Sequence, residues 1–395
     1  MKNLNVPNKG NVPRLRFTGY TDEWKNVKIA DIATIVGGGT PDTTISEYWD
    51  GDIQWFTPSE IGKSKYIAKS DRTITKEGLN NSSAKILPKG TILLSTRATI
   101  GECSIADKEC CTNQGFQSII VKNNTTNEFQ YYLIQTKKKD LIRNACGSTF
   151  LEISANEVRK IRCNIPNIEE QRKIADFLSL LDKRIETQNK IIQQLQSLIK
   201  GICNNLLYAD KGKSIRLGDI LIERKEKSII NNQYEILSST VKGVFSQRDY
   251  FSKDIASENN IGYKIIRLND IVLSPQNLWM GNINFNDKYE IGIVSPSYKI
   301  FAIKENFNKI YIANLLKTHR ALCNYMQVSE QGASIVRRNL NLEAFEQLSF
   351  KITDYQEQCR IARILISTQQ KIQLETSLLN KYEEQKKFLL SNMFI

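Results

Sequence analysis

The sequence predicts a duplicated α/β (α+β) fold: two similar globular domains, and two long helices that pair as an antiparallel coiled coil about an internal pseudo-twofold axis. Three observations carry this. The chain repeats itself, each copy ends in a heptad seam longer than an ordinary globular helix, and strand-like runs mixed with short helical stretches fill the space before each seam.

The repeat is seen by sliding the chain along itself. Lys28-Ile29-Ala30-Asp31-Ile32 resembles Arg216-Leu217-Gly218-Asp219-Ile220, 188 residues on. Glu170-Gln171-Arg172-Lys173-Ile174-Ala175 resembles Glu357-Gln358-Cys359-Arg360-Ile361-Ala362, 187 residues on, and Lys200 and Asn205 recur as Lys387 and Asn392 at that offset. In between, Thr91–Ser95 best fits Asp270–Ser274 at an offset of 179, so the copies start and end in step but diverge in their middles. The divergence sits in the globular parts, which suits two matched scaffolds with different surfaces. A leader at 1–13, globular domains at 14–165 and 209–352, and long helices at 166–208 and 353–395 are the expected divisions.

Each helix opens on a capping-box-like start. Asn167 follows Pro166 with Glu170 three residues on, and Asp354 stands before Glu357 in the same way. From there a seam steps by four and three through Ile174, Leu178, Leu181, Ile185, Gln188, Ile192, Leu195, Ile199, Ile202 and Leu206. The second copy runs Ile361, Leu365, Thr368, Ile372, Glu375, Leu379, Tyr382, Lys386, Leu389 and Met393, a weaker seam because Thr368, Glu375 and Lys386 interrupt it. At 1.5 Å per residue, 40 residues make a strut of about 60 Å. Neither strut can bury its seam alone. In an antiparallel pair the equivalent interruptions Gln188 and Glu375 would meet near the axis and set the register; two solvated breaks are the plainer alternative.

In the globular parts, Ile32–Val36, Thr91–Ser95, Phe116–Val121, Ile271–Ser274 and Tyr298–Ile303 read as strands, and Asn127–Lys137 and Lys309–Tyr325 as helices.

Hydrophobic residues make up 41% of the 395-residue chain, enough for real cores. Lysine and arginine outnumber aspartate and glutamate by 55 to 42, a net charge of +13, which favours a polyanionic partner such as nucleic acid over simple solubility. No apolar run approaches the ~20 residues of a membrane span, and MKNLNVPNKGNVPRLRF lacks the apolar stretch of a secretory signal. Cys103, Cys110, Cys111, Cys146, Cys163, Cys203, Cys323 and Cys359 form no C-x-x-C pair, so core filling in a reducing cytoplasm is expected, with no metal site.

Catalytic signatures are missing. There is no G-x-x-x-x-G-K-[ST] and no Asn-Pro-Pro-Tyr or Asp-Pro-Pro-Tyr, and His319 is the only histidine. Gly37-Gly38-Gly39 reads as a turn, not as a dinucleotide fingerprint. Recognition chemistry remains. The strand ending at Ser95 runs into Thr96-Arg97-Ala98-Thr99, and its counterpart ending at Ser274 runs into Pro275-Gln276-Asn277-Leu278-Trp279. Arginine pairs bidentately with guanine, and glutamine or asparagine with adenine, in the major groove. Thr96, Arg97, Thr99, Gln114 and Gln117, and Gln276, Asn277, Trp279, Ser297 and Tyr298, are therefore the base-reading candidates. Lys63, Lys65, Arg248, Arg337 and Arg338 are the phosphate candidates, which orient without specifying. For any one of these residues plain surface exposure competes with the functional reading.

Several stretches also resemble a known family. VPRLRFTGYTDEW at 12–24, KIADI at 28–32, GGGTPDTTISEYWDGDIQWFTPSEIG at 37–62, LPKGTILLSTRATIG at 87–101 and IPNIEEQRKIADFLSLLDKRIE at 165–186 resemble the specificity subunits of type I restriction–modification systems. The resemblance implies two target-recognition domains, each reading half of a split, asymmetric DNA site. It implies that the helix pair is the ruler between half-sites and the dock for two modification subunits. S-adenosylmethionine and methyltransferase chemistry would sit in those subunits, and ATP-driven cleavage in restriction subunits, leaving this chain non-catalytic and without a cofactor of its own. Half-sites about one turn apart, ~34–36 Å, suit such a strut. A methylation-only complex, an enzyme with unrecognised motifs, and a coiled-coil scaffold with no DNA role are the competing readings.

Overall fold

The computed structural model describes residues 10–147, 151–206, 212–241, 243–250, 259–331 and 338–395. The chain divides into two compact units, Met1–Asn189 with Ser377–Ile395, and Lys190–Thr376. Two long helices, Ile168–Leu206 and Tyr355–Met393, contribute a stretch to each unit, so mixed α/β regions flank a long helical pair.

In the first unit, Lys25–Lys28 pairs antiparallel with Arg162–Ile165 and closes the globular part just ahead of the first long helix. One helical turn, Ile29–Ile32, follows and buries both isoleucines. The main sheet then runs Ala33–Gly37, Gln117–Val121, Ile92–Leu94, Cys103–Ala106 and Tyr66–Ile67 in spatial order, with only the last pairing parallel. The second unit repeats this. Lys213–Arg216 pairs with Ser349–Ile352, Leu217–Ile220 makes the helical turn, and the sheet runs Leu221–Glu223, Lys299–Ile303, Ile271–Leu273 and Ile283–Phe285. Strand for strand, this is the order of the first four strands in the other unit.

The additions differ. The first unit carries a small sheet of Arg72–Ile74, Trp49–Phe56 and Cys111–Thr112. The second carries the ribbon Leu237–Thr240 with Gly243–Ser246, and its ribbons Lys264–Arg267 with Ile291–Val294 and Ser329–Gln331 with Arg338–Leu340 stand where the first unit has the isolated bridges Leu87–Cys110 and Cys146–Glu152. The divergence read between the two repeats therefore falls on these additions.

All five expected strands are present within a residue or so of their limits, as is the helix Asn127–Thr136. The single helix expected over Lys309–Tyr325 is instead two, Lys309–Leu316 and His319–Gln327. Thr318 breaks it: its hydroxyl accepts from the Ala321 amide and donates to the Leu315 carbonyl, so the chain caps and restarts.

Parts of both strut seams enter the cores. Ile174, Leu178 and Leu181 join Trp24, Phe129 and Tyr132 in the first core, together with Leu389, Met393 and Phe394 from the other helix. Ile361 and Leu365 join Tyr311, Tyr325 and Phe345 in the second core, with Ile199 and Ile202 packed against them. Ile185, Ile192, Leu195, Leu379, Tyr382 and Lys386 are half-buried, and Gln188, Thr368, Ile372 and Glu375 are buried. The side chain of Leu206 lies outside the described residues. The helix direction shows within the first unit. Leu15 donates to the Asn392 carbonyl while the adjacent Arg16 grips Glu170, and further along the first helix Asp182 pairs with Lys386 at 2.7 Å. Rising numbers on one helix meet falling numbers on the other, so they run antiparallel.

Half of each predicted capping box forms. The Glu170 amide donates to Asn167 Oδ1 at 2.9 Å, and the Glu357 amide to Asp354 Oδ1 at 3.0 Å. The glutamate side chains turn to guanidiniums: Glu170 takes two bonds from Arg16, at 2.7 and 2.8 Å, and Glu357 two from Arg360, at 2.6 Å each. A bidentate charge-assisted pair outcompetes a single bond to a backbone amide.

Four cysteines, Cys103, Cys110, Cys111 and Cys163, do fill cores, and burial pushes their thiols up, that of Cys103 to about 12. Cys146 and Cys323 depart from that expectation: both are exposed, one beside the turn that ends a helix and one on an outer helix face.

Candidate nucleic-acid interface

In the first unit the loop after Ile92–Leu94 folds back tightly, with Ala98 at φ 49° and Gly101 at φ 89°. This removes Thr96 from the base-reading candidates. Thr96 is fully buried, and both its amide and its hydroxyl donate to the Gly115 carbonyl, at 2.9 and 3.0 Å. Thr99 is engaged with the Ser95 hydroxyl at 3.0 Å. Arg97 pairs with Glu152 at 2.9 Å, both partly exposed, so its charge is partly answered before any ligand arrives.

Gln114 is exposed on the turn 113–115 and shares a hydrogen bond with the Thr40 hydroxyl. Gln117 sits opposite Gly37 on the neighbouring strand, and its side-chain oxygen is enclosed without a hydrogen-bond partner among the described residues. The glycines before Thr40 are there for close approach. A methyl group on Gly38 would run into the Thr112 and Asn113 carbonyls, and one on Gly39 into the backbone of Ser83 and Ala84. They press the loop at 37–44 against the turn that carries Gln114. The expected turn reading of Gly37-Gly38-Gly39 is thus sharpened to a packing role.

Lys65 does not face outward as a phosphate contact should. Its ammonium donates to Ser179 Oγ at 2.6 Å and to the Tyr132 hydroxyl at 3.2 Å, and lies 4.7 Å from the Tyr132 ring centre. It ties the sheet edge to the long helix, and burial holds it below the usual lysine range. Lys63, two residues earlier, is exposed and has no ion-pair partner among the described residues.

The small added sheet holds what the sequence did not single out. Arg72 stands over the Trp49 indole, its guanidinium carbon 3.5 Å from the ring centre, and 5.9 Å from that of Trp55. The two indoles meet edge-to-face at 5.1 Å and are themselves fixed: Trp49 Nε1 donates to the Asp42 carbonyl and Trp55 Nε1 to the Gly39 carbonyl. The available signal was the pair of tryptophans on one strand-like run, WDGDIQWF at 49–56; nothing in the sequence pairs it with Arg72.

In the second unit the equivalent loop presents Gln276 exposed and Asn277 and Trp279 half-buried. Trp279 sits in a short 3-10 turn closed by Gly281 at φ 89°, and Arg338 stacks on it with its guanidinium carbon 4.7 Å from the ring centre. The Arg338 amide donates to the Gln276 carbonyl at 3.3 Å. Thus Gln276, Trp279 and Arg338 form one cluster, although Arg338 was expected as a phosphate contact. Ser297 is exposed, its hydroxyl 3.0 Å from that of Ser295. The Tyr298 hydroxyl donates inward to the Ser239 carbonyl at 3.1 Å and is half-buried, so it does not offer a donor to a base. Arg248 is exposed on the single turn Gln247–Tyr250. Arg337 lies outside the described residues.

Among the described residues no group of three or more His, Cys, Asp and Glu side chains is placed to hold a metal ion, and no helix is long and apolar enough to cross a membrane.

Comparison with known proteins matches these features to one family. Residues 21–197 match the family model described as the type I restriction modification DNA specificity domain. Over that part of its length the chain is similar to the specificity subunits of type I restriction–modification systems. It is 34% identical over 282 residues to the type I restriction enzyme MjaIX specificity subunit of Methanocaldococcus jannaschii, covering 65% of this chain and 64% of that one. It is 28% identical over 175 residues to the EcoR124I/EcoR124II specificity subunit of Escherichia coli, covering 42% and 43%. The match therefore spans less than two thirds of these relatives. The crystal structure of the type I restriction–modification S subunit from M. genitalium shares the fold, with a TM-score of 0.56 at 16% identity over 97% of this chain and 99% of that one. So does a chain from a structural study of complex assembly and conformational transition of the type I system, with a TM-score of 0.58 at 13% identity over 94% and 97%.

Proposed function

We propose that this chain is a type I specificity subunit that reads an asymmetric, two-part site on double-stranded DNA, one half-site per unit, without catalysing any reaction itself. The observation that carries the reading is the repeated sheet order with unlike additions. Two copies of one scaffold present different side chains at corresponding places, Arg97 against Gln276 after one strand and Gln114 against Ser297 before the next. A split site read by unlike domains is not a palindrome. The net charge of +13 supplies the sequence-independent attraction to phosphate.

The long helices dock two modification subunits, and these bring S-adenosylmethionine and the methyltransferase chemistry. Restriction subunits, where present, add ATP-driven cleavage. Large apolar side chains left on the outer faces of the helices support this: Leu180 is 60% exposed and Leu374 62%. Gln188 and Glu375, both buried, fix the register of the helix pair. The complex works in the cytoplasm, where DNA is met.

The test is reconstitution with the modification subunits, followed by mapping of methylated adenines on genomic DNA. A two-part motif that disappears without this chain supports the reading. Methyl transfer by the chain alone would defeat it, and binding to duplex DNA that does not weaken with salt would favour a scaffold without a DNA role.

A further inference from the structure

Within the DNA-reading function proposed above, the geometry points to Arg72 as a base-reading residue of the first unit, and we propose that its guanidinium contacts the O6/N7 edge of a guanine in the major groove. Four features of the site carry this. Arg72 is exposed, yet it is held in place by the Trp49 face at 3.5 Å. No carboxylate pairs with it among the described residues, so its N–H fork is unspent. Stacking occupies the π-face of a guanidinium and leaves the planar edge, the part that matches guanine, free to point away. And the platform is rigid: Trp55 Nε1 holds the Gly39 carbonyl at 2.9 Å, and Thr40, the next residue, holds Gln114.

The contacts thus run without a break from Arg72 through the indoles and the glycine loop to an exposed glutamine, whose amide suits adenine. Arg97, the arginine that sequence reasoning favoured, is already paired to Glu152, whereas Arg72 reaches a base without first breaking an ion pair. A freely rotating surface arginine would give up side-chain entropy on binding; one stacked on indole has already done so.

The second unit makes a similar device from different parts. Arg338 stacks on Trp279 at 4.7 Å beside Gln276, on a ribbon whose place in the first unit is held by the Cys146–Glu152 bridge. Tryptophan-stacked arginine is therefore a recurring way for this fold to present a reader, reached at non-equivalent positions.

The test uses the full chain assembled with its modification subunits, with genomic DNA as substrate and methylated adenines mapped by sequencing. Arg72→Ala should relax the motif at one G·C position of one half-site, with roughly a ten- to hundred-fold loss of discrimination there, and leave the other half-site as it was. Arg72→Lys keeps the charge but not the fork, and should be equally relaxed at that position while its salt dependence stays as in the unaltered complex. An unchanged motif in a folded Arg72→Ala complex overturns the inference. So does a uniform loss of affinity across sequences, with a shallower salt slope that Arg72→Lys restores, because that marks a phosphate contact. If the unaltered complex methylates no two-part motif, the proposed function itself fails, and that result is distinguishable from both.

Discussion

Gln358 repeats, 187 residues on, the hydrogen bonds of Gln171. Each is buried near the start of a long helix. Gln171 Nε2 donates to the Pro166 carbonyl at 2.9 Å while its oxygen accepts from Thr125 Oγ1 at 2.8 Å and the Thr126 amide at 3.2 Å. Gln358 Nε2 donates to the Thr353 carbonyl at 2.9 Å while its oxygen accepts from the Asn308 amide, also at 2.9 Å. Thr126 and Asn308 are the N-caps of the first globular helix to follow the main sheet in each unit. One amide thus locks strut to globular part twice in the chain.

Replacing that joint should be costly. Gln358→Leu leaves the Thr353 carbonyl and the Asn308 amide without their bonds and should destabilise the chain by about 1–3 kcal/mol, as should Gln171→Leu in the first unit. Urea unfolding measures it, and a loss under about 0.5 kcal/mol in both variants would show that the joint does not hold the strut.

This joint also shows why scaffold was legible from sequence and surface was not. Glu-Gln at 170–171 and 357–358 repeats because both copies need the same lock, and the seams repeat because apolar spacing is what a helix must bury. The reading surface has no such constraint. Thr96 looked like a loop donor, but its amide and hydroxyl are both spent on the Gly115 carbonyl, which lies across the sheet and is far away in sequence. Lys65 looked like a phosphate contact because sequence does not reveal that Ser179 and Tyr132 face it. Arg72 gave no sign at all, since its partner Trp49 lies on another strand across a long connection and a bulged register.

Alkaline pH should loosen the first unit through its tyrosines. Burial, and then the neighbouring Asp182 carboxylate, push the Tyr132 hydroxyl well above its ordinary value of 10.0, and Tyr66 is raised to about 12. The folded state keeps these protons where the unfolded chain loses them, so the stabilisation is fully present below pH 10 and is lost as pH rises above it. Tyr132→Phe gives up the 2.6 Å bond to Asp182 and starts less stable, but its melting temperature should fall less between pH 9 and 11 than that of the unaltered chain. An equal fall in both would count against the assignment.

The buried interruptions of the seam should trade stability for register. The double variant Gln188→Leu/Glu375→Leu should match or exceed the unaltered chain in stability, by up to about 1 kcal/mol, while populating more than one species in size-exclusion chromatography with light scattering. A destabilised but uniform protein would contradict this.

Docking should depend on the outer helix faces. Leu180→Glu with Leu374→Glu should weaken association with modification subunits by roughly ten-fold or more and leave the melting temperature within ~1–2 °C, because both side chains are exposed. Unchanged binding in calorimetry would place the dock elsewhere.

The division of labour between the units is tested most directly by mapping methylated adenines after altering one unit alone. With Gln276→Ala and Asn277→Ala in the second unit, the account predicts that one half of the methylated motif becomes degenerate while the other half and the spacing stay as they were. Degeneracy in both halves together, or in neither, would contradict it.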